Sequence, residues 1–141
     1  MDCARARARV LAEHRDVLEA TVDAADAVAA DPGALAEGAT LRRRLRERLA
    51  GRNLLARYPG VLRTAVAAAG CDLAADPVPA PPYVVVTSTG PLLRGSTATG
   101  RLLVAVRTVA VRRNTNIEHD TTIRYRRTGA SAADTVDIRH V

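Results

Sequence analysis

The chain has 141 residues, with 21 basic and 15 acidic side chains, a formal net charge of +6, 48% hydrophobic residues and 2% aromatic residues. This length and composition predict one globular domain with a core of its own, and they exclude a disordered or fibrous protein. The longest uninterrupted apolar runs, 65–69 and 102–106, are far shorter than the roughly 20 residues of a membrane-spanning helix, so we expect a cytoplasmic protein.

The first predicted element is a helix over 10–28, because apolar residues recur there at three- and four-residue steps. The sequence Asp31-Pro32-Gly33 ends this helix, and Asp31 is placed to cap the next one, with Pro32 at its first position. The apolar stripe consists of Val10, Leu11, His14, Val17, Leu18, Thr21, Val22, Ala25 and Val28.

A second helix is predicted up to Gly51, and a third, shorter helix over 59–69, between Pro59 and the stop signal Gly70. Because the first two helices follow each other through a short turn, we expect them to form an antiparallel hairpin. The positions expected to be buried in the second and third helices are Leu35, Leu41, Leu45, Leu49, Val61, Leu62, Ala65 and Val66.

A proline-rich segment separates the helical pattern from a strand pattern. Prolines occupy positions 77, 79, 81 and 82, and proline lacks a backbone N–H and fixes φ, so this run favours an extended connector. We therefore divide the chain into a helical half, 1–76, a connector, 77–82, and a strand half, 83–141. We expect the two halves to share one core as a single domain.

The strand half contains β-branched runs that are separated by turn residues. Asn114-Thr115-Asn116 predicts a tight hairpin turn, and the strand after it alternates between apolar and polar residues. Sequential strands joined by short turns predict an antiparallel meander of four to five strands, so the predicted fold class is α+β. The predicted strands cover 83–89, 92–97, 102–113, 117–126 and, as a short last strand, 136–140.

Acidic and basic side chains are separated along the helical half. Residues 10–41 carry a net charge of −6, and residues 42–63 carry a net charge of +7. In a helical hairpin these charges face each other and favour the antiparallel arrangement. The arginine-rich stretch 41–49 is interpreted first as a helix that pairs with the acidic helix, and second as a helix that lies on phosphate.

The excess positive charge lies in the strand half, where residues 77–141 carry a net charge of +5. Two groups of arginines flank the predicted turn at Asn114, and they form the candidate nucleic-acid site. A tight turn would place the two groups apart, as separate basic spots. Only three tyrosines are present, so the aromatic platform of sheets that bind single strands is missing. The candidate residues are Arg112, Arg113, Arg124, Arg126 and Arg127.

Three histidines and two cysteines are the remaining candidates for chemistry. His14 lies on the apolar stripe and is interpreted as a packed residue. His119 and His140 fall on the inward sets of their strands, where no carboxylate completes a metal site or orients a base. Cys3 and Cys71 are far apart in sequence and form no CxxC motif. We expect no catalytic residue, no metal and no cofactor.

Two stretches carry a resemblance to known proteins. They are Cys3 with Leu11-Ala12-Glu13-His14-Arg15, and Pro82-Tyr83-Val84-Val85-Val86-Thr87-Ser88-Thr89-Gly90-Pro91. These stretches resemble small uncharacterised proteins of halophilic archaea, and the absence of lysine fits such proteins. The resemblance implies a domain of unknown function and no particular activity.

Three functions remain open at this point. The first is a non-enzymatic interaction module that self-associates or binds a partner protein, because the long valine-rich strand near a sheet edge would pair readily with another chain. The second is a nucleic-acid-associated protein that binds phosphate through the arginines of the strand half. The third is a small hydrolase or metal protein around His119 and His140. No membrane partner is expected.

Overall fold

The computed structural model describes residues 1–31, 33, 37–115, 121–127 and 131–141, and within 110–115 and 121–127 it defines the backbone alone. The helical elements of the described chain are α1 (Cys3–Glu13), α2 (Arg15–Ala29), α3 (Gly38–Gly51), a 3₁₀ turn (Leu55–Arg57), α4 (Tyr58–Ala68) and α5 (Ala132–Thr135). The strands are β1 (Val84–Thr87), β2 (Gly90–Thr97), β3 (Gly100–Val106), β4 (Val109–Thr115), β5 (Thr121–Arg127) and β6 (Val136–His140).

The strands form two antiparallel sheets. Four of them lie in the order β1-β2-β3-β6, and β4 pairs with β5 in a separate two-stranded sheet. The first three strands form a meander, and β6 returns to pair with β3, so that Val104 lies opposite Ile138. Helices precede strands along the chain. The predicted α+β class, with an antiparallel sheet of four strands, is confirmed.

The first predicted helix corresponds to two helices in the structure, α1 and α2, which meet at His14. The chain is already helical from Cys3, because the Asp2 carboxylate caps the first turn by accepting a backbone hydrogen bond of 2.9 Å. His14 leaves the helical conformation, with φ −124° and ψ 24°. Its Nε2 lies 2.7 Å from the Thr64 Oγ1 on α4, and this contact holds the ring against α4 where α1 ends.

The second and third predicted helices correspond to α3 and α4. Pro32 and Leu35 lie outside the described residues, and α3 begins at Gly38. The stop predicted at Gly70 is confirmed, since its φ of +84° lies in the left-handed region that favours glycine. No helix in the described ranges is long and apolar enough to cross a membrane. The other predicted positions are all buried: Leu41, Leu45, Leu49, Val61, Leu62, Ala65 and Val66.

The long valine-rich strand predicted over 102–113 is interrupted after Val106. Thr108 and Val109 both donate their N–H groups to the Thr89 carbonyl, at 2.9 and 3.1 Å, so the chain turns away from the sheet at the β1–β2 turn. Gly90 makes this crossing possible, because a Cβ there would lie 1.8 Å from the Val106 carbonyl oxygen. The expectation that this strand lies near a sheet edge is wrong for its first part, since β3 lies between β2 and β6, whereas its second part, β4, pairs among the described strands with β5 alone.

One cluster of buried side chains joins the helices to one face of the four-stranded sheet. Leu62 on α4 and Leu93 on β2 are both fully buried. Gly95 lets α4 approach closely, since a Cβ there would lie 3.3 Å from the Leu62 Cδ1. Tyr58 is also fully buried, and its hydroxyl lies 2.6 Å from the Thr21 Oγ1 on α2. The helical layer therefore covers this face with side chains from three helices.

Candidate binding surfaces

Strand alternation gives the four-stranded sheet two different faces. The face toward the helices, which we call the covered face, carries side chains that are exposed by at most 8%, among them Val84, Val86, Leu93, Val104 and Ile138. The other face, which we call the open face, carries apolar side chains that are only half-buried, namely Val85, Leu92, Leu103 and Ala105.

Four arginines surround the apolar centre of the open face, and none of them is among the candidate residues predicted from the sequence. Arg107 and Arg139 share the Asp137 carboxylate, with N–O distances of 3.4 and 2.7 Å. Arg94 and Arg101 form no recorded ion pair within the described part of the chain. The signal that could have identified them is the alternation of arginine with leucine along 92–94 and 101–107, which places these residues on one face.

A pocket of about 170 Å³ lies at the open face, between β2, β3 and the connector. Arg94 and Arg101 line it together with Tyr83 and Ser96. The segment just before the connector is held beside β2 by a hydrogen bond of 2.9 Å from the Ala74 N–H to the Ser96 carbonyl. The pocket therefore brings residues of two strands and the connector to one place.

The β1 strand lies at one edge of the sheet, and its backbone groups point alternately toward β2 and away from it. The Arg94 N–H donates to the Tyr83 carbonyl at 2.8 Å, and Pro91, which has no N–H, lies opposite Val86. Hydrogen-bonded and non-bonded pairs alternate in an antiparallel ladder. Val85 therefore bonds to β2, whereas the N–H and C=O groups of Val86 point out of the sheet.

A groove of about 360 Å³ runs along this free edge. One wall is β1 with the turn residue Ser88, and the other wall is the first turn of α3, with Gly38, Ala39 and Arg42. Arg42 is exposed, and the first N–H groups of a helix carry partial positive charge. The groove therefore combines free strand backbone with a positive wall.

At the opposite edge of the sheet, an arginine bonds to one outward carbonyl, at the start of β6. The Arg107 N–H donates to the Thr135 carbonyl, so by the same alternation the Val136 carbonyl points away from β3. Arg7 on α1 donates its Nε–H to this carbonyl at 3.2 Å, and a terminal N–H to the Ala133 carbonyl. The Val136 carbonyl at the β6 edge thus has a hydrogen-bond partner within the molecule. The outward groups of Val86 at the β1 edge have none among the described residues.

The five candidate nucleic-acid residues lie on β4 and β5, and their register differs from the predicted one. Arg112 lies opposite Arg124, and the pairing ends at Thr115 and Thr121, whereas a tight turn at Asn114 would have separated the two arginines along the ladder. The pairing expected from a tight turn at Asn114 is therefore wrong. The side chains of the five arginines lie outside the described part of the structure, so the nucleic-acid site stays a prediction.

The interpretation of the arginine-rich stretch 41–49 as a partner of the acidic helix is supported by one ion pair from that stretch, and a second pair forms just after it. Arg44 on α3 pairs with Asp31, just after α2. Arg57, in the 3₁₀ turn, lies 2.7 Å from Asp16 on α2, and this hydrogen bond holds the pKa of the Asp16 carboxyl below its usual value. All four side chains are about half exposed, so water screens these pairs and they orient the elements more than they stabilise them.

The histidines do not form a site within the described residues. His14 is half-buried and bonded to Thr64, as expected for a packed residue. His140 is exposed, and its Nε2 lies 2.9 Å from the Thr99 carbonyl at the β2–β3 turn. His119 lies outside the described residues, so its expected approach to His140 stays a prediction.

Cys3 and Cys71 are free thiols, each half-buried against the main core cluster. The described part of the chain contains no group of three or more His, Cys, Asp or Glu side chains that could hold a metal ion.

Within the described residues, the fold defines a class of α+β domain in which a helical layer covers one face of a four-stranded antiparallel sheet. Residues 4–140 match the family model "Domain of unknown function (DUF7988)", so the chain belongs to this family. No curated protein and no solved structure matches the chain. The family match confirms the uncharacterised domain that the resemblance implied, but it does not confirm the resemblance to proteins of halophilic archaea.

Proposed function

We propose that this domain is a non-enzymatic, cytoplasmic protein-binding module that takes an extended, acidic segment of a partner protein as an additional strand beside β1. The observation that carries this proposal is the groove at the β1 edge, where outward backbone groups of Val86 lie across from the first turn of α3. Strand addition of this kind gains affinity from main-chain hydrogen bonds and specificity from side chains in the groove.

The contrast between the two sheet edges supports the choice of β1. Natural sheets protect their edges against unwanted pairing, and at the start of β6 Arg7 bonds to the outward Val136 carbonyl. No described side chain bonds to the outward backbone groups of Val86. Yet Val86, like Val136, belongs to a non-hydrogen-bonded pair of its ladder. An edge that is left free beside a groove is the geometry that a binding strand requires.

The charge of the groove supports an acidic partner rather than a second copy. Arg42 lines the groove, and the segment 42–63 that contains it carries a net charge of +7. A second copy would bring the same positive wall to the interface, and like charges across an interface oppose association. An acidic segment would be attracted instead, and its carboxylates would have Arg42 and the start of α3 within the groove.

The direct test titrates a short acetylated peptide of alternating valine and aspartate into the protein. Val86→Pro removes the outward N–H, and proline is tolerated in an edge strand where that N–H points away from the sheet. We expect Val86→Pro to weaken peptide binding by about tenfold, through loss of a main-chain hydrogen bond and the bulk of the ring. Val86→Ala, the matched control, keeps the N–H and is expected to stay within about threefold of the wild type.

Two further measurements separate strand addition from unspecific charge attraction. Hydrogen exchange at the Val86 amide is expected to slow when the peptide binds, and Arg42→Glu is expected to favour a peptide with lysine in place of aspartate. Equal binding by Val86→Pro and the wild type, or unchanged exchange at Val86, would show that the proposal is wrong. Self-association that Val86→Pro abolishes would identify a second copy as the occupant.

Nucleic-acid association is a second candidate function, favoured by the register of the β4–β5 hairpin. Arg112 and Arg124 lie opposite each other, so the two residues could neutralise neighbouring phosphates of one nucleic-acid strand. Binding of single- and double-stranded oligonucleotides at about 50 and 200 mM salt tests this candidate, because counterion release makes phosphate binding fall steeply over that interval. Absence of binding at the lower salt concentration would remove it.

A further inference from the structure

We propose that the pocket on the open face binds a phosphate group, either as free phosphate or as a phosphate monoester. This site is separate from the groove at the β1 edge and does not depend on it. Four of its lining residues carry polar side chains: Tyr83, Arg94, Ser96 and Arg101.

The ladder brings the two arginines and the serine to one place. Ser96 lies directly opposite Arg101 in the β2–β3 pairing, and Arg94 precedes Ser96 by two residues on the same face. Arg94 and Arg101 are therefore diagonal neighbours, with a backbone separation of about 7–8 Å. Two flexible guanidinium groups that start this far apart can converge on a single anion between them.

Tyr83 and the connector complete the pocket. Tyr83 is tied to β2 through the hydrogen bond of 2.8 Å between its carbonyl and the Arg94 N–H. Ala74 and Ala75, just before the connector, and Pro82 at its end form the remaining wall. The Ala74 N–H bonds to the Ser96 carbonyl and holds this segment beside β2. The pocket thus lies between two strands and a tethered segment, and a tyrosine and a serine line it beside the two arginines.

The distribution of acidic residues leaves this pocket positive. On the open face Asp137 pairs with Arg107 and Arg139. The Asp76 carboxylate, just before the connector, pairs with Arg63 on α4. Within the described residues neither Arg94 nor Arg101 has a recorded ion pair, so two like charges lie close together. A dianion would offset that repulsion and would accept hydrogen bonds from both side chains.

The number of donors and the size of the pocket favour phosphate over other anions. Two guanidinium groups and two hydroxyls present more donors than the two oxygens of a carboxylate can accept, whereas a phosphate monoester offers three terminal oxygens. The volume of about 170 Å³ corresponds to about five or six water molecules. It therefore suits a phosphate group with the first atoms of an ester rather than a whole nucleotide.

The test measures binding of inorganic phosphate, O-phosphoserine and acetate by amide chemical shifts of the full chain at constant ionic strength. We expect Arg94→Gln and Arg101→Gln each to weaken phosphate binding by at least about tenfold, the loss of one charge-assisted contact. Arg139→Gln removes the same charge from the same face but leaves the pocket intact, and it is the matched control, expected to stay within about threefold. Acetate is expected to bind more weakly than either phosphate compound.

Each outcome has a defined meaning. Tighter binding of O-phosphoserine than of inorganic phosphate supports a monoester as the ligand, and the reverse order supports free phosphate. The inference is overturned if neither compound shifts the pocket amides at about 10 mM, where even a site of millimolar affinity is mostly occupied. It is equally overturned if Arg139→Gln weakens binding as much as Arg94→Gln does, since that would reflect the general positive charge of the face. Unfolding curves of all three variants identify any loss that comes from misfolding.

Discussion

The two faces of the four-stranded sheet use the same strands for different purposes. Leu93 lies on the covered face and is fully buried, whereas Leu92, its neighbour in the chain, lies on the open face and keeps part of its surface in water. The covered face is entirely apolar where the helices contact it, but the open face mixes apolar side chains with four arginines. Alternation along one strand thus separates residues that stabilise the fold from residues that are free to bind.

This separation also explains where polar groups are found in the molecule. On the covered side, a hydroxyl such as that of Tyr58 needs an internal partner, because water cannot reach it. On the open side, Tyr83 and the arginines can exchange partners with water at little cost. A mutation should therefore change stability on the covered side and binding on the open side.

The largest expected difference lies between Leu93→Ala and Leu92→Ala. Leu93→Ala leaves a cavity in the main core cluster and is expected to lower the free energy of unfolding by about 3 kcal/mol. Leu92→Ala removes a side chain that is only half-buried, and we expect a loss of about 1 kcal/mol or less. Urea unfolding of the two variants measures both values. Equal losses would show that a partner or a further element covers the open face as completely as the helices cover the other.

An intermediate effect is expected from removing a single hydroxyl. The Thr21 hydroxyl donates to the Val17 carbonyl at 2.8 Å, so the hydrogen between Thr21 and Tyr58, 2.6 Å apart, must come from the tyrosine. Tyr58→Phe is expected to cost about 1 kcal/mol, because it leaves the Thr21 oxygen without this donor. Tyr83→Phe is the control on the open face and is expected to have almost no effect on thermal unfolding.

The same pair of tyrosines gives a pH dependence. Burial raises the pKa of Tyr58 above its ordinary value near 10. The unfolded chain releases this proton at a lower pH than the folded chain, so the unfolded state binds fewer protons and stability falls as pH rises above about 10. The difference in the free energy of unfolding between the wild type and Tyr58→Phe should therefore shrink in alkaline solution. A difference that stays constant with pH would mean that Tyr58 is not shielded from water.

The smallest effect is expected for a charge on the open face. Asp137→Asn removes the carboxylate shared by Arg107 and Arg139, and exposed pairs of this kind contribute about 0.5 kcal/mol or less. We expect the free energy of unfolding, measured in urea, to differ from that of the wild type by no more than this amount. We also expect anions to bind more strongly to this face. A loss of several times that size would show that this face, too, contributes to stability.

The elements with strong periodicity were predictable from the sequence. Leucines at helical spacing on α3, the glycine stop after α4 and the β-branched strands reflect local physics that the sequence displays directly. The break between Val106 and Val109 was not predictable, because valines continue on both sides and the turn depends on hydrogen bonds to the distant Thr89 carbonyl. The register of β4 and β5 was missed because it depends on where the connection between them begins, not on the alternation within either strand.

The candidate sites show the same limit. The arginines near Asn114 were identified because they cluster in sequence, whereas Arg94 and Arg101 were not, since they come together only through the β2–β3 register and the return of the connector. The groove at β1 required the position of α3 relative to an edge strand. A sequence displays which residues share a face, but not which face remains uncovered once all elements have packed.

The late position of β6 in the chain has a consequence for synthesis on the ribosome. β3 is an interior strand, yet one of its two neighbours is translated only after β4, β5 and α5. Until residues 136–140 emerge, the nascent chain presents the valine-rich flank of β3 without its final partner, and Arg7 has no Val136 carbonyl to bond. Incomplete chains of this kind are prone to aggregate. Stalled translation in this interval should therefore be more damaging to the cell than a pause anywhere in the helical half.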